Sequence, residues 1–307
     1  MATVIDRDGI ETVPTATTEA PLRRFVAEFA ESRLAVGGLA VLAMIIVAAL
    51  AAPLISPQDP YDLNQLDILD GRLPPGTESA TGFTFWLGSD DQGRDMLSAI
   101  LYGLRISLGV GVMSAVIAVV IGTATGLAAA YFGGRIDTLI MRIVDIQLSF
   151  PAILVALILL AVLGQGTGKI IVALVTVQWA YYARTVRGTA LVERRKEYVE
   201  AARCLALGHA RILFRHLLPN CLPPLIVVAT VQVAHAIALE ATLSFLGIGL
   251  PITEPSLGLL IANGYEYMMS GKYWISFFPG VALLITIVSI NLVGDQLRDV
   301  LNPRLRK

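Results

Sequence analysis

The sequence predicts an all-α membrane protein with six transmembrane helices. Composition is the first reason: of the 307 residues, 55% are hydrophobic and only 15% are charged, whereas a soluble domain carries about a quarter charged residues. The second reason is that the apolar residues gather into runs, each near the roughly 20 residues that a helix needs to cross a bilayer. The third is the uneven distribution of Lys and Arg between these runs, which indicates an orientation.

The N-terminal part is predicted to hold one span and one long polar segment. Residues 1–33 are expected to form a cytoplasmic tail that ends in an amphipathic helix on the membrane surface, since Arg23 and Arg24 precede apolar residues at helical spacing. Residues 34–55 are predicted to be span one, an uncleaved anchor because further spans follow it. Residues 56–101 are polar and rich in proline, and they are predicted to be extracytoplasmic.

Residues 102–300 are predicted to form a core of five further spans, and residues 301–307 a cytoplasmic tail. Pro151 is expected to kink the third span, and residues 131–142 are expected to be a short polar connection. Small side chains recur every four residues in the second span. This pattern favours close packing against another helix, and a surface facing the pore or a partner subunit is the alternative. The five predicted spans are residues 105–130, 143–163, 170–186, 225–247 and 275–293.

The basic residues predict which side of the membrane each segment occupies. If the N-terminus is cytoplasmic, 18 of the 23 Lys and Arg residues fall in cytoplasmic segments and four in outer segments, with Arg105 at the edge of a span. Such an excess is the positive-inside pattern. It places both termini and the loop 190–220 in the cytoplasm, and it predicts a multi-pass protein of the cytoplasmic (inner) membrane.

Polar side chains inside the spans are candidates for function. Gln232, His235 and Glu240 all fall in span five, and polar groups at that depth usually face protein or a watery cavity. They are candidates for lining a pore, with structural hydrogen bonding as the alternative. Asp145 follows Arg142 by three residues, which favours a local ion pair at the membrane edge. A different interpretation makes Asp145 and Glu240 the proton relay of a secondary transporter.

Residues 190–220 are predicted to form a helix, a turn and a second helix. Ala202 and Ala206 are expected on one face of the first helix. Gly208 is expected to end that helix, because glycine adopts the left-handed conformation at low cost, and Pro219 is expected to end the second. The element is too short to fold alone, so it needs a partner surface. A solvated loop between two spans is the alternative.

The run Glu200-Ala201-Ala202, followed by Leu218-Pro219, resembles the EAA loop of ABC-importer membrane subunits. The resemblance implies that this loop is the cytoplasmic coupling helix, which docks into a groove on an ATPase subunit. This chain has alanine at position 206, where the family has glycine, so the turn is expected two residues later. The residues that are predicted to couple to the ATPase are Glu200, Ala201, Ala202, Arg203, Gly208, Arg211 and Pro219.

Three further stretches resemble the OppC/DppC branch of peptide and nickel ABC permeases. They are residues 85–108, residues 243–255 and the C-terminal residues 294–306. The resemblance implies a type I ABC importer permease with a MetI-like fold, which forms half of a translocation pore for dipeptides or oligopeptides. Nickel is the alternative cargo within the same branch.

The resemblance also implies the partners of this chain. They are a second permease subunit of the DppB/OppB kind, one or two ATPase subunits, an extracytoplasmic peptide-binding protein and the lipid membrane; no nucleic acid is expected. Residues 164–169 lack the first glycine and the Ser/Thr of a phosphate-binding loop. ATP is therefore expected on partner subunits, and no cofactor is predicted in this chain.

Catalytic and metal sites are not predicted. The acidic cluster at residues 90–95 lacks the ligand spacing of a calcium loop. The three histidines, His209, His216 and His235, are scattered and do not supply a nucleophile–base or metal-ligand set. The chain is therefore predicted not to be an enzyme but the pore subunit of an ATP-hydrolysing complex.

Overall fold

A computed structural model describes residues 21–62, 65–79 and 82–301. Residues 1–20 of the predicted N-terminal segment 1–33 and residues 302–307 of the predicted tail 301–307 lie outside these described residues. The described chain is mostly helical. It also contains one two-stranded antiparallel sheet, and most of the described residues between 56 and 95 form neither helix nor strand.

The helices and strands follow one another in this order: α1 (Pro21–Ala30), α2 (Arg33–Leu50), α3 (Ala52–Ile55), β1 (Thr77–Glu78), β2 (Thr84–Phe85), α4 (Met96–Phe132), α5 (Gly134–Ser149), α6 (Ala152–Leu163), α7 (Thr167–Glu193), α8 (Glu197–Cys204), α9 (His209–Arg211), α10 (Leu218–Phe245), α11 (Leu257–Tyr265) and α12 (Trp274–Leu301). Two short 3₁₀ turns, Ile68–Asp70 and Met268–Ser270, lie in the connections, and a π-helical stretch, Ile212–Leu217, joins α9 to α10.

Four helices in the described part of the chain are long and apolar enough to cross a membrane: α2, α4, the continuous helix over residues 209–245, and α12. The bent pair α5 and α6 makes a fifth if it is counted as one span. The remaining predicted span, residues 170–186, corresponds to α7, which has 27 residues but is less apolar. Because α7 contacts α4, α5, α6 and α10, its polar side chains can face protein instead of lipid.

The long helices α4 and α7 form the centre of the fold. Small residues let them approach closely: a Cβ atom added to Gly122 would lie 2.5 Å from the Trp179 carbonyl oxygen, and one added to Gly126 would lie 2.5 Å from that of Ala183. The stripe of small residues in α4 thus faces α7 at these positions, as the close-packing interpretation predicts.

The third predicted span differs from the expectation. Residues 134–149 form the amphipathic helix α5 instead of a polar connection, and at Pro151 the chain breaks by 93° into α6 instead of kinking. Sequence reasoning missed α5 because charged residues lower its mean hydropathy. These charges pair with α7: Asp137 forms an ion pair with Arg187, and Asp145 pairs with Arg184. The predicted partner of Asp145, Arg142, was therefore wrong.

The fifth predicted span also begins earlier than expected. Pro219 does not end a helix but lies in the first turn of α10. Pro223 and Pro224 lie further along the same helix. Proline is tolerated in a first turn because it replaces an N–H that needs no intrahelical acceptor. The π-helical stretch before it changes the hydrogen-bond spacing and lets the helical path continue from His209 to Phe245.

The described residues of the polar segment that precedes α4, residues 56–62, 65–79 and 82–95, fold into a compact unit. We call it the outer cap because the sequence predicts this segment to be extracytoplasmic. Within it Arg94 and Asp90 form a fully buried ion pair with 2.5 Å between Nε and Oδ2. Trp274, at the start of α12, donates its indole N–H to the Ser89 carbonyl at 3.2 Å. Asp95 caps α4 by accepting a hydrogen bond from the Ser98 backbone N–H at 2.8 Å. The helix therefore starts at Met96, several residues before the predicted boundary.

Candidate coupling site and cavity

Helix α8 carries the residues of the predicted coupling motif. Val199 and Ala202 are buried, whereas Glu200, Ala201 and Arg203 are exposed. The helix is therefore amphipathic in the structure, with Val199 and Ala202 packed on the protein and its charged side chains exposed. Its acidic residues lie in the first turn and Arg203 lies in the last, an order that the helix dipole favours.

The turn after α8 lies where the family places it, and not two residues later. Ala206 has a φ angle of +52°, which is the left-handed region. Gly208 has a φ angle of −60° and precedes α9. The expectation that Gly208 ends α8 was therefore wrong. So was the expectation that Ala206 lies on one helical face with Ala202, since α8 ends at Cys204 and Ala206 follows it. The other predicted coupling residues, Arg211 and Pro219, are also exposed.

A hydrogen-bonded network fixes α8 to the end of α7 and the start of α10. Glu193 accepts from the Tyr198 hydroxyl at 2.8 Å and pairs with Lys196 at 2.7 Å, while Asn220 donates to the Tyr198 oxygen at 3.1 Å. Burial and, after it, the hydrogen bond to Glu193 raise the pKa of Tyr198 to about 12. The phenol therefore stays protonated at neutral pH and can act as a donor to Glu193.

The predicted coupling loop, residues 190–220, also packs on the C-terminal end of α4. Val199 and Ile212 belong to the same buried apolar cluster as Leu127 and Tyr131 of α4. Sequence reasoning did not single out Tyr131, whose hydroxyl lies 2.7 Å from Nδ1 of His209. The only signal in the sequence was an aromatic residue at the end of a span.

A cavity of about 1300 Å³ opens along one side of the helix bundle, between α6, α7, α10 and α12. Gln232 and His235, both predicted pore residues, line it. Gln178 of α7 lines it as well and donates to the Gln232 carbonyl at 3.3 Å. Apolar side chains of α10 make up much of the remaining wall.

The third predicted pore residue lies elsewhere. Glu240 is fully buried and is not among the residues that line the cavity. Its carboxylate accepts hydrogen bonds from the hydroxyls of Ser107 in α4 and Ser244 in α10, both at 2.8 Å. The structure thus places Gln232 and His235 together and separates Glu240 from them.

The charged groups near the cavity mouth come from α12. Asp295 and Arg298 are both exposed and line the cavity. They belong to the last part of the helix, which the sequence prediction had ended at residue 293. Among the described residues, no group of three or more His, Cys, Asp or Glu side chains is arranged to hold a metal ion.

The chain matches known membrane transport proteins over most of its length. Residues 118–307 match the family described as the binding-protein-dependent transport system inner membrane component, and residues 20–75 match the N-terminal transmembrane domain of oligopeptide transport permease C. A putative peptide transport system permease protein of Brucella suis is 43% identical over 269 residues, which cover 88% of this chain and 87% of that protein.

Other relatives agree with this match. The di/tripeptide transport system permease protein DppC of Pseudomonas aeruginosa is 36% identical, with 95% of each chain covered. The glutathione transport system permease protein GsiD of Pectobacterium atrosepticum is 38% identical, with 93% and 92% covered.

The fold has a counterpart among solved structures. A chain from inward-facing structures of the MetNI methionine ABC transporter superimposes with a TM-score of 0.54 at 23% identity, covering 67% of this chain and 98% of that one. The likeness shows the predicted importer permease fold and confirms that expectation. The two family matches and the relatives show that the chain belongs to the inner membrane components of binding-protein-dependent transport systems, in the oligopeptide and dipeptide permease branch.

Proposed function

We propose that this chain forms half of the pore of an ATP-driven peptide importer and receives mechanical work through the loop 190–220. The observation that carries the proposal is the amphipathic attachment of α8. Its apolar side is built into the same core as α4 and α7, while Glu200 and Arg203 remain exposed. A surface element of this kind can bind a partner protein and pass displacement to the helices beneath it.

The open cavity supports the role as half of a pore. Its walls come from α6, α7, α10 and α12, and they combine apolar side chains with Gln178, Gln232 and His235. A cavity on one side of a bundle becomes a closed pathway only if another subunit covers it, which the second permease would do. Amide and imidazole groups can bind the backbone of a peptide without selecting one sequence of side chains.

The proposed mechanism is a rigid-body rearrangement. Binding of ATP closes the two ATPase subunits and shifts the groove that holds α8. Because α8 is fixed to α7 by the Glu193 network and to α4 by the apolar cluster, the shift rotates these helices together. The cavity thereby opens in turn to the outside, where it receives peptide from the binding protein, and to the inside, where it releases the peptide.

Peptide is the proposed cargo because the relatives are named for it. They are described as transporting dipeptides, di- and tripeptides, or glutathione. Nickel and proton-coupled transport remain the alternatives that an experiment has to separate. The partners are the second permease, the ATPase subunits that bind ATP, and the extracytoplasmic binding protein.

The test is uptake by the complete complex in proteoliposomes. We expect ATP-dependent uptake of a di- or tripeptide, no uptake of nickel, and no effect of a proton uncoupler. Glu200→Lys should assemble in the membrane yet lose uptake, because it reverses a charge on the docking face. Glu197→Lys is the matched control on the same helix and is expected to have the smaller effect. Full uptake by Glu200→Lys, or uptake without ATPase subunits, would contradict the proposal.

A further inference from the structure

The last turn of α4 meets the coupling loop through three side chains, Tyr131, Arg203 and His209, which we call the Tyr131 cluster. The Tyr131 hydroxyl lies 2.7 Å from His209 Nδ1, and the two rings meet edge to face with centroids 5.5 Å apart. The Arg203 guanidinium lies over the Tyr131 ring, 5.4 Å from its centroid, a geometry in which cation and ring attract each other. One tyrosine therefore contacts both ends of the turn between α8 and α9.

The cluster lies beside an open pocket of about 570 Å³. Phe132, Leu207 and Ile212 line this pocket together with the three members of the cluster. Tyr131 itself is only 9% exposed, so its ring is held in place by its neighbours. The pocket is lined by both the end of α4 and the turn after α8, so the turn has room to move if the contacts to Tyr131 are absent.

A second set of contacts joins the same two elements. Arg194, which follows α7, donates a hydrogen bond to the carbonyl of Ala130. Ala202 of α8 and Ala130 of α4 belong to one buried cluster. These contacts hold the base of the loop, whereas the Tyr131 cluster is the polar contact that α4 makes with the turn itself.

Helix α4 can carry a displacement far from this contact. It runs without a break for 37 residues from Met96 to Phe132. Its N-terminal end is fixed to the outer cap through Asp95, and Ser107 ties it to Glu240 of α10. A shift applied at Tyr131 therefore travels along α4 and reaches the outer cap and α10 through the hydrogen bonds of Asp95 and Ser107.

We propose that Tyr131 is a positioning residue, which passes the displacement of the coupling loop to α4 through its contacts with His209 and Arg203. This inference rests on the proposed function, and it adds a specific residue on α4 to the docking face on α8. Without these contacts the loop still docks on the ATPase and its base stays packed on α4, but the turn between α8 and α9 shifts against Tyr131, so that less of the displacement reaches α4. ATP is then hydrolysed with less transport.

The test uses the complete complex with both permeases, the ATPase subunits and the binding protein. The variants are Tyr131→Phe, His209→Leu and the double variant. The readout is peptide uptake per ATP hydrolysed, because a merely structural role would lower both quantities together. We expect each single variant to lower this ratio by roughly threefold or more, as mutations along coupled networks do. The double variant should fall no further than the lower single variant, since both remove one hydrogen bond.

Two controls accompany these variants. His209→Asn keeps an acceptor near the position of Nδ1 and is expected to retain the wild-type ratio. His216→Leu changes a histidine of the same loop whose described hydrogen bond uses only its backbone carbonyl, and it should also leave the ratio unchanged. Assembly of each variant is checked by co-purification with the ATPase.

Several outcomes would overturn the inference. They are a wild-type ratio in both single variants, a double variant whose loss equals two independent losses, and a lowered ratio in an assembled His209→Asn complex. A wrong cargo has a different signature: the wild-type complex does not take up peptide. Coupling can still be read in that case, as the stimulation of ATP hydrolysis by the binding protein, which Tyr131→Phe should lower.

Discussion

The Glu240 carboxylate accepts a hydrogen bond from the Ser107 hydroxyl at 2.8 Å, and this contact ties α10 to α4 inside the bundle. Ser244, one turn further along α10, donates to the other carboxylate oxygen at the same distance. A buried carboxyl group requires such donors, because burying a polar group without a partner is costly. Glu240 therefore has a structural role, as a hydrogen-bonded connection between α10 and α4.

Replacing Glu240 should separate this structural role from a proton relay. Glu240→Gln keeps an acceptor for one hydroxyl, and we expect uptake to remain. Glu240→Leu removes both acceptors and should destabilise the protein by about 1–3 kcal/mol, measured as thermal unfolding of the purified complex. Loss of uptake in Glu240→Gln together with sensitivity to an uncoupler would instead support proton coupling.

The left-handed alanine in the coupling loop predicts a stabilising substitution. Ala206 has a φ angle of +52°, and an L-residue pays roughly 1–2 kcal/mol for that conformation whereas glycine does not. Ala206→Gly should therefore raise the thermal midpoint. Ala201→Gly is the matched control: it makes the same substitution at an exposed position inside α8, where glycine is about 1 kcal/mol less favourable than alanine, so it should lower the thermal midpoint. Equal shifts in the two variants would argue against the assigned turn.

The buried ion pair of the outer cap predicts a large loss of stability. Arg94 is 1% exposed and Asp90 is fully buried, so Arg94→Met leaves a carboxylate buried without its partner. Breaking a buried pair in this way costs about 3–5 kcal/mol. Arg24→Met, which breaks the exposed Arg24–Glu28 pair, should cost less than about 1 kcal/mol. Denaturant or thermal unfolding measures both, and similar losses would contradict the burial of Arg94.

Two acidic residues of the outer cap predict a dependence of stability on pH. Burial, and next the neighbouring Asp90, raises the pKa of Asp91, and burial raises the pKa of Asp95. A group with a raised pKa binds its proton more tightly in the folded state. Its stabilising contribution is therefore full below the unfolded pKa and is lost as the pH rises through the folded pKa.

We therefore expect the thermal midpoint to fall as the pH rises from the ordinary carboxyl range, about pH 4, toward neutrality. Asp91→Asn should reduce this slope, because an amide does not ionise. Glu78→Gln changes an exposed residue of the cap and serves as the control. An unchanged slope in Asp91→Asn would show that another group is responsible.

Much of the fold could be predicted from the sequence because apolar runs dominate it. The spans around α2, α4, α10 and α12 follow directly from hydropathy, and the sequence motif at Glu200 identified the amphipathic helix α8. Errors arose where tertiary contacts overrode local signals. Helix α5 was missed because the ion pairs of Asp137 and Asp145 with α7 cannot be seen in a local pattern.

The candidate site was predicted in part for similar reasons. Gln232 and His235 line the cavity, because they lie three residues apart on one helical face. Glu240 does not line the cavity, because it lies on a different face of α10, where its carboxylate contacts Ser107 of α4. Pro219 was read as a terminator although a helix can begin at a proline. Tyr131 and His209 are 78 residues apart, and no local pattern could bring them together.

The unbroken length of α4 has a thermodynamic consequence. At 1.5 Å per residue its 37 residues reach about 55 Å, more than the thickness of a bilayer with its head groups. A rigid helix of this length couples binding events at its two ends, and such coupling acts in both directions. If nucleotide on one side alters how tightly the outer cap holds a visiting protein, then by reciprocity the visitor must alter nucleotide affinity by the same factor. Binding of a substrate-loaded protein at the outer cap would thus change the affinity for nucleotide on the other side before any solute has crossed.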